Sequence, residues 1–492
     1  MSTRTTCTAL AESRRWRLLI GGKLVDSARG GRLEVFDPSR GELVTTVPLA
    51  SSEDVHAAAE AAAAAFPAWR ETPLRERANV LVRIAETIEK HAEELACLDT
   101  LDTGTPIKVM RGDARLAAER LRYFAGLALQ LRGETIPTPE SHTFDFTLRE
   151  PYGVVARIVP FNHPLMFAAA GLSAPLIAGN TVVIKPSEHT CLAALRLGEL
   201  LADRVPAGVV NIVTGPGQSV GDELVRHPAV RRIAFTGGVA TGRAIQRSAA
   251  EAGVKTVTLE LGGKNPLIVF ADCDLEAAIQ GAVRGMNFTW QGQSCGSTSR
   301  LFVHHSLFEQ VVEGVRRELE GLMLGDPFDE RTDIGALTFP AHYERVRGFL
   351  ALGESDTRTQ IVTGGLPSQV PFPRGLYVRP TLFVLQDDDH PLAREEIFGP
   401  VLVAVSFDSY EEVIARANRS PYGLAASVWT RELGTALRAA HDLSAGYVWV
   451  NSSSAHIPGT SFGGVKDSGI GREEGIEEIL GYSQTKNVFV RY

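Results

Sequence analysis

The sequence predicts an α/β protein made of two α/β domains and a β-strand arm, and three observations support this fold class. From residue 151 to 261, short apolar strands alternate with helical segments, which is typical of a doubly wound parallel sheet covered on both faces. A second alternation of strands and helices runs from about 263 to 470. Two further strand-like segments belong to neither alternation, so we assign them to an arm.

The part of the chain before the first alternation is predicted to be largely helical. The segment "SEDVHAAAEAAAAAFPAWR" (52–70) predicts a helix with Ser52 as its N-cap, and 75–99 and 112–132 predict two more amphipathic helices. Closer to the N-terminus, "LLIGGKLVDSARGG" predicts a strand, a glycine turn and a second strand rather than the apolar core of a signal peptide.

The predicted strands differ in character between the domains and the arm. Those of the first alternation are almost continuously apolar, as in "VVARIVPF", "NTVVIKP", "GVVNIVTG", "RRIAFTG" and "TVTLEL". The second alternation has "NPLIVF", "RLFVHH", "PVLVAVSF", "AASVWT" and "GYVWVN". By contrast, 141–152 and 486–492 alternate like half-exposed strands, whose uncovered edges are a liability. We interpret these two segments as the oligomerisation element of a homodimer or homotetramer.

The composition narrows the class of protein. The 492 residues, of which 44% are hydrophobic and 22% charged, suit two or three folded domains. The formal net charge of −8 argues against nucleic acid or an anionic membrane as a partner. No apolar run approaches the ~20 residues of a membrane span. We therefore expect a small molecule, rather than a nucleic acid or a membrane, as the main ligand.

The five cysteines are scattered, odd in number and without C-x-x-C spacing. This usage predicts neither a disulfide framework nor a zinc or other metal site. A reducing, cytoplasmic location is the simplest interpretation.

Two stretches carry candidate reactive groups. In "NFTWQGQSCGSTSR" (287–300), Cys295 stands among glycines and small hydroxyl residues, which suits a thiol that a large molecule must approach. In "TLELGGKNP", Glu260 ends an apolar strand, where desolvation would raise its pKa and suit it to general base catalysis near neutral pH. A solvated glutamate at a strand end is the alternative interpretation of Glu260.

Three stretches indicate a nucleotide site. "GPGQSVG" offers Gly217 and Gly221 in a glycine pattern one residue longer than the usual dinucleotide fingerprint, so a plain turn is equally compatible. "RRIAFTGGVATG" places Thr236, Gly237 and Gly238 before a helix predicted to start near Thr241, whose free N–H groups would suit a pyrophosphate. In "VVIKPSEHT", Lys185 and Glu188 follow a strand end and suit ribose hydroxyls, with a surface ion pair as the alternative.

Together these motifs resemble the aldehyde dehydrogenase superfamily. The resemblance rests on Asn162 in "VPFNHPL", Glu260 in "LELGG", Cys295 in "GQSCGS", "EEIFGP" (395–400) and "FGGVKDSGIGREEG" (462–475), and it covers nearly the whole chain. It implies an NAD-binding domain at 1–128 and 152–262, a catalytic domain at 263–477 and an oligomerisation arm at 129–151 and 478–492. NADP is less favoured, because Glu188 would repel a 2′-phosphate.

The resemblance also implies a role for each site residue. Cys295 would be the nucleophile, Asn162 would help hold the oxyanion, and Glu260 would activate the water that hydrolyses the thioester. The residues implied for the cofactor are Pro160, Phe161, Lys185, Glu188, Gly217, Gly221, Thr236, Gly237, Gly238, Glu396 and Phe398. Those implied for the substrate are Phe167, Thr289, Trp290, Ser294, His456 and Phe462.

The sequence leaves the substrate open. The implied lining is largely uncharged and partly aromatic, which favours a neutral aromatic or medium-chain aliphatic aldehyde. Betaine aldehyde and a semialdehyde are the alternatives, although no cage of several aromatic rings for a quaternary ammonium is evident. The carboxylate at Glu260 argues against a branch that releases its thioester to CoA.

Trp290 is equally compatible with a core position. Departures from the family pattern at Phe161, Gly238, Trp290 and Ser461 affect the cofactor and substrate sites.

Overall fold

A computed structural model describes residues 3–492, which form four β-sheets with helices packed around the two largest. The strands, in chain order, are β1 (Leu18–Ile20), β2 (Lys23–Val25), β3 (Arg32–Asp37), β4 (Glu42–Pro48), β5 (Thr135–Ile136), β6 (Thr143–Pro151), β7 (Val154–Ile158), β8 (Thr181–Lys185), β9 (Val210–Ile212), β10 (Val230–Gly237), β11 (Thr256–Leu261), β12 (Pro266–Val269), β13 (Arg300–His304), β14 (Thr359–Thr363), β15 (Thr381–Leu385), β16 (Val401–Phe407), β17 (Ala425–Trp429), β18 (Tyr447–Val450), β19 (Gly469–Ile470) and β20 (Ser483–Arg491).

The helices fill the connections between these strands. In chain order they are α1 (Thr3–Glu12), α2 (Ser52–Glu71), α3 (Leu74–Lys90), α4 (Ala92–Thr103), α5 (Ile107–Gly126), α6 (Pro164–Ala170), α7 (Ser173–Ile177), α8 (Leu192–Leu201), α9 (Asp222–Arg226), α10 (Val239–Ala252), α11 (Leu275–Gly285), α12 (Phe308–Gly321), α13 (Pro340–Ser355), α14 (Pro391–Arg394), α15 (Tyr410–Asn418), α16 (Leu433–Asp442) and α17 (Ile476–Gly481). Single tight turns lie at Ala128–Gln130, Gly217–Gly221, Phe288–Trp290, His305–Leu307 and Lys466–Ser468.

The first sheet has eight strands in the order β19-β11-β10-β7-β8-β9-β1-β2. Its five central strands, from β11 to β9, run parallel, whereas β1 and β19 are antiparallel to their neighbours. From β7 the chain first adds β8 and β9 on one side and then β10 and β11 on the other. This reversal of strand order places a crevice at the carboxyl ends of β7 and β10, where ligands bind in sheets of this kind.

Helices cover both faces of this sheet because alternate residues of each buried strand face opposite ways. Val182 and Ile184 of β8 belong to a core that includes residues of α3, α5 and α8. Val183 belongs to a different core, which includes residues of α2 and α10. The continuous apolar sequence of β8 is thus explained by burial on both sides.

The second large sheet has seven strands in the order β14-β15-β16-β13-β12-β17-β18, all parallel except β14. The fold class predicted from the sequence, two α/β units with parallel sheets and a strand arm, is therefore confirmed. The residue boundaries of the three domains stay a prediction.

The two arm segments pair with each other inside the chain. β20 and β6 are antiparallel, from Ser483 opposite Pro151 to Arg491 opposite Thr143, and β5 completes a three-stranded sheet. These strands belong to neither of the two large sheets and cover each other's edges instead. Pairing uses their backbone edges but leaves Phe144, Leu148 and Phe489 exposed.

The structure corrects several helix boundaries. Ser51, not Ser52, caps α2, because its hydroxyl accepts a hydrogen bond from the backbone N–H of Asp54 while the Asp54 carboxylate bonds back. The segment predicted as one helix at 75–99 is divided between α3 and α4 at His91, whereas the helix predicted at 112–132 starts earlier and ends earlier, as α5. Helix α10 begins at Val239 rather than near Thr241.

The prediction that no cysteine forms a disulfide was also wrong. Cys7 of α1 and Cys97 of α4 form one, with their Cα atoms 5.6 Å apart, whereas Cys191, Cys273 and Cys295 are free thiols. The two bonded residues are 90 positions apart, so spacing along the chain gave no sign of the bond. Cysteine usage therefore no longer supports a cytoplasmic location.

Within residues 3–492, no helix has the length and apolar character of a membrane span.

Candidate active site

A cavity of about 600 Å³ contains both candidate reactive groups, the Cys295 thiol and the Glu260 carboxyl. Its wall also includes every residue implied for the substrate, namely Phe167, Thr289, Trp290, Ser294, His456 and Phe462. Trp290 contributes to the cavity wall and also packs against the hydrophobic core. The sequence had left the substrate lining and the core as alternatives for this residue, and it contacts both. The volume falls within the range of small-molecule sites in proteins.

The loop that carries Cys295 is held by close backbone approaches. A side chain at Gly292 would lie 2.2 Å from the carbonyl oxygen of Gly399, and the residue has a φ of +67°, so glycine is required there. The Asn265 side-chain amide donates to the carbonyl oxygens of Cys295 and Ser297, at 2.8 and 3.0 Å. At Gly296, an added Cβ would find no atom nearer than 3.9 Å. The loop is therefore fixed, while the space beside the sulfur is open.

The resting Cys295 side chain is a thiol. Burial raises the pKa of Cys295 to about 12, and the charges of Glu260, Glu396 and Glu474 act in the same direction. The N–H of Gly296 lowers the pKa but does not outweigh these effects. A nucleophilic role thus needs a partner that removes the proton as the thiol reacts.

Asn162 follows the carboxyl end of β7 and lies against the cysteine loop rather than on the cavity wall. Its side-chain amide donates to the carbonyl oxygen of Gln293 at 2.8 Å, two residues before Cys295, and is buried. Its Oδ1 has no hydrogen-bond partner among residues 3–492. One amide hydrogen remains for another acceptor, since the side chain carries two.

Glu260 lies at the end of β11, opposite Thr236 of β10. Neither carboxyl oxygen has a hydrogen-bond partner in the described chain, and the residue is only 7% exposed. Burial and the charge of Glu473 raise the pKa of Glu260 well above its usual value, against the opposing charges of Arg472 and Arg157. A raised pKa agrees with general base work near neutral pH, and the burial excludes the alternative of a solvated strand-end glutamate.

Behind Glu260 lies a buried network of charged groups that the sequence did not reveal. The Arg157 guanidinium of β7 donates to the Glu473 carboxylate, and Arg120 of α5 bonds Glu474 at 2.6 Å. Glu474 also accepts a hydrogen bond from His456 Nδ1 at 3.2 Å. Burial works to raise the pKa of Glu474, but the His456 hydrogen bond and the Arg120 charge outweigh it and lower the pKa.

Helix α5 forms a second wall that sequence reasoning missed. The lining residues from this helix fall in successive turns, three or four positions apart from one turn to the next, and so share one face; they are Lys108, Val109, Gly112, Asp113, Leu116 and Arg120. The helical periodicity was visible in the sequence, but nothing showed which element that face would meet. Asp113 accepts a hydrogen bond from His163 Nδ1 at 2.7 Å across the cavity wall.

The residues predicted for a nucleotide lie around the carboxyl ends of β7, β8 and β10. Lys185 Nζ lies 3.1 Å from Glu188 Oε2, and the lysine is buried whereas the glutamate is half-buried. Burial works to raise the pKa of Glu188, but the charge of Lys185 outweighs it and lowers the pKa. Glu188 is therefore anionic at neutral pH, in a pair less exposed than an ordinary surface ion pair.

The N-terminus of α10 is open to a ligand. Its cap, Gly238, offers no side chain to the helix N–H groups, and an added Cβ at Gly238 or Gly217 would meet no atom within 4 Å. Gly221 approaches the Lys185 side chain, while Gly237 packs closely on the ring of Phe235. The buried Thr236 hydroxyl has no partner among residues 3–492. Free N–H groups at the start of a 14-residue helix suit a phosphate.

A second group of predicted residues surrounds Glu396. The Glu396 carboxylate accepts a hydrogen bond from the Gly263 N–H at 3.0 Å, and burial raises its pKa. A Cβ at Gly262 would lie 2.0 Å from this carboxylate, so that glycine is required for the approach. The Phe161 ring lies 5.6 Å from Phe398, and Pro160 precedes it in the chain.

A family profile, a related sequence and two solved structures each match this chain over nearly its whole length. The profile of the aldehyde dehydrogenase family matches residues 24–488. A phenylacetaldehyde dehydrogenase of Pseudomonas fluorescens is 42% identical over 488 residues, which are 97% of this chain and 96% of that protein. The NAD⁺ complex of a Bacillus cereus aldehyde dehydrogenase superposes with a TM-score of 0.94 at 38% identity, covering 98% of this chain and 97% of that one. A Staphylococcus aureus betaine aldehyde dehydrogenase in complex with NAD⁺ gives 0.96 at 34% identity, covering 99% and 97%.

Proposed function

Because the chain belongs to the aldehyde dehydrogenase family, we propose that it oxidises an aldehyde to the carboxylic acid with NAD as the hydride acceptor. The observation that carries this proposal is the cavity that Cys295 and Glu260 share, with Asn162 bound to the same loop. Water enters the reaction and the acid, NADH and a proton leave it, so the atoms and electrons balance.

In the first step the Cys295 sulfur attacks the carbonyl carbon, the S–H bond breaks, and the proton passes to water, which accounts for the proton released in the overall reaction. The carbonyl π electrons move to oxygen, which becomes the oxyanion of a thiohemiacetal. Two donors support this position, namely the Cys295 backbone N–H, which has no acceptor within residues 3–492, and the remaining amide hydrogen of Asn162. Loss of one such donor typically costs about 100- to 1,000-fold in rate.

The residues that would hold NAD fit the group. The uncapped α10 N-terminus suits the pyrophosphate, the Lys185–Glu188 pair suits the adenosine ribose, and Glu396 suits the nicotinamide ribose. When bound, NAD supplies the hydride acceptor. An anionic Glu188 would repel a 2′-phosphate, which supports a preference for NAD over NADP.

Hydrolysis of the resulting thioester is the task of Glu260. The carboxylate takes a proton from water, and the hydroxide so formed attacks the thioester carbon and releases the acid with the Cys295 thiol. The buried, unpartnered state of the Glu260 oxygens supports this role, because no competing donor occupies them.

For the substrate we propose a neutral aromatic or medium-chain aliphatic aldehyde. The cavity wall is rich in aromatic and aliphatic side chains, including Phe167, Phe288, Trp290, Leu116 and Phe462. The similarity to a phenylacetaldehyde dehydrogenase agrees with this class. Betaine aldehyde is the second candidate, supported by the similarity to a betaine aldehyde dehydrogenase.

We also propose that the enzyme is a homodimer or homotetramer. The three-stranded arm leaves Phe144 and Val490, which pair across β6 and β20, exposed at 46% and 38%, along with Leu148 on the same face at 44%. Grouped apolar side chains of this kind mark interaction surfaces, and a second copy of the chain is the partner that the closed symmetry of soluble oligomers favours.

The decisive test replaces the nucleophile. Cys295→Ala should lower aldehyde-dependent NADH formation by at least ~1,000-fold while NAD binding persists, since the sulfur forms the covalent intermediate. Absorbance of NADH and calorimetric titration with NAD measure the two effects. The matched control is Cys273→Ala, which removes a buried free thiol outside the cavity and should retain turnover. Undiminished turnover in Cys295→Ala would disprove the assignment.

A further inference from the structure

A second histidine–carboxylate pair lies in the cavity apart from the reacting groups. His163 Nδ1 and Asp113 Oδ2 are 2.7 Å apart, and their side chains are 15% and 5% exposed. His163 follows Asn162 directly and precedes α6, while Asp113 lies on the lining face of α5. The other ring nitrogen, His163 Nε2, has no hydrogen-bond partner among residues 3–492.

The surroundings of this imidazole suit an aromatic ring. The His163 ring centroid lies 5.2 Å from that of Trp290 and 5.8 Å from that of Phe167, and all three residues line the cavity. A flat ligand packed against these side chains from the cavity would keep apolar contact while one edge meets the imidazole.

Asp113 sets which hydrogen bond Nε2 can make. A carboxylate accepts only, so the proton of the neutral imidazole lies on Nδ1 and Nε2 is left as an acceptor. The group that satisfies such an acceptor is a hydroxyl or an N–H of the ligand.

A negatively charged substrate has no comparable partner in the cavity. Arg120 is bonded to Glu474 and Lys108 to Asp333, at 2.6 and 2.8 Å. Arg284 lines the cavity without an ion pair in the described part of the chain, but it is exposed, where pairing is worth little. The carboxylate of a semialdehyde would therefore meet Asp113 with only the exposed Arg284 to offset the repulsion, and no buried cation of the described cavity wall is free to pair with it.

On this basis, and resting on the proposed aldehyde oxidation, we propose that His163 is a specificity-determining residue that accepts a hydrogen bond from a hydroxyl of the substrate. The preferred substrates are thus hydroxylated aromatic aldehydes. Asp113 is a positioning residue, because it acts only through the His163 ring.

The test compares kcat/KM for benzaldehyde with kcat/KM for its ortho-, meta- and para-hydroxy derivatives. A hydroxyl also changes the reactivity of the carbonyl, so the ratio of hydroxylated to plain substrate is compared between variants, where that effect cancels. In His163→Phe the ratio for the preferred isomer should fall roughly 3- to 10-fold, the range of one net hydrogen bond. His305→Phe, the same change at an exposed histidine outside the cavity, should keep the wild-type ratio.

Two further variants distinguish a hydrogen bond to the substrate from a purely structural role of His163. Asp113→Asn/His163→Phe removes the carboxylate that the single change leaves buried without its partner, and it should show the same fall in ratio. Asp113→Asn alone lets Nε2 become a donor, so the preference for the hydroxy over the matching methoxy aldehyde should fall, which a merely structural role would not produce.

The outcomes are distinguishable. An unchanged ratio in both His163 variants, with active enzyme, overturns the role of His163 and leaves the proposed function standing. A stronger preference of the wild type for a carboxylated semialdehyde or for betaine aldehyde also overturns it. If no aldehyde yields NADH with wild-type protein, the proposed function itself fails.

Discussion

Glu260→Gln should stop turnover after hydride transfer and not before it. Neither Glu260 oxygen makes a hydrogen bond within residues 3–492, so the amide breaks no contact and nearly preserves the shape. It cannot accept the proton of water, and general base help is worth about 100- to 10,000-fold. At 1.36 kcal/mol per tenfold, that is ~3–5 kcal/mol added to the barrier of hydrolysis alone.

The structure also predicts that the acylation step survives. Among nearby charges, Glu260 contributes most to raising the pKa of Cys295, so its replacement by a neutral amide should lower that pKa. Hydride transfer needs the thiohemiacetal, the oxyanion donors and the cofactor, none of which the substitution removes.

Rapid-mixing absorbance should therefore show a burst of up to one NADH per site, followed by a very slow steady rate. Mass spectrometry should find the acyl group on the peptide that contains Cys295. The control, Glu318→Gln, changes an exposed glutamate of α12 and should behave as wild type. Absence of both burst and adduct would place Glu260 before hydride transfer, and wild-type steady turnover would show that it is not the base.

Two further predictions concern the cofactor and the arm. Glu188→Gln should raise kcat/KM for NADP by ~10-fold or more relative to NAD, because it leaves Lys185 without its partner at the adenosine ribose. Equal cofactor ratios in variant and wild type would contradict this. Phe144→Arg/Leu148→Arg should shift light scattering towards the 53.1 kDa monomer, since two charges replace the exposed apolar face. Asn487→Arg, on the neighbouring strand and the opposite face of the arm, is the charge control, and an unchanged oligomer in the double variant would exclude the arm.

The sequence predicted the reactive groups best, because a single side chain in a recognisable local context is enough to identify each of them. Cys295 was identified because only small residues surround its thiol, and Glu260 because its carboxylate ends an apolar strand. The structure brings both to one cavity. Strand ends are predictable because apolar runs stop abruptly, and the carboxyl ends of parallel strands meet at one edge of the sheet.

The sequence was least informative about pairs that are distant along the chain. Asp113 and His163 are 50 positions apart, and Arg120 and Glu474 are 354 apart. Each residue alone reads as an ordinary polar position, and only the packing of α5 against the cavity gives it a partner. The Cys7–Cys97 disulfide escaped prediction for the same reason.

The electrostatics of Cys295 and Glu260 support the proposed order of attack first and hydrolysis second. Each group is buried and the negative charge of Glu260 raises the pKa of the thiol, so the two do not readily ionise together. In the proposed mechanism the sulfur needs the charge during attack, and a raised pKa of Glu260 favours the neutral carboxyl that this requires. The sulfur of the proposed thioester carries no charge, so it would no longer oppose ionisation of Glu260 when water is to be deprotonated. Glutamine imitates the protonated carboxyl of the first stage and fails only in the second, which is why the burst and the stalled acyl-enzyme are expected together.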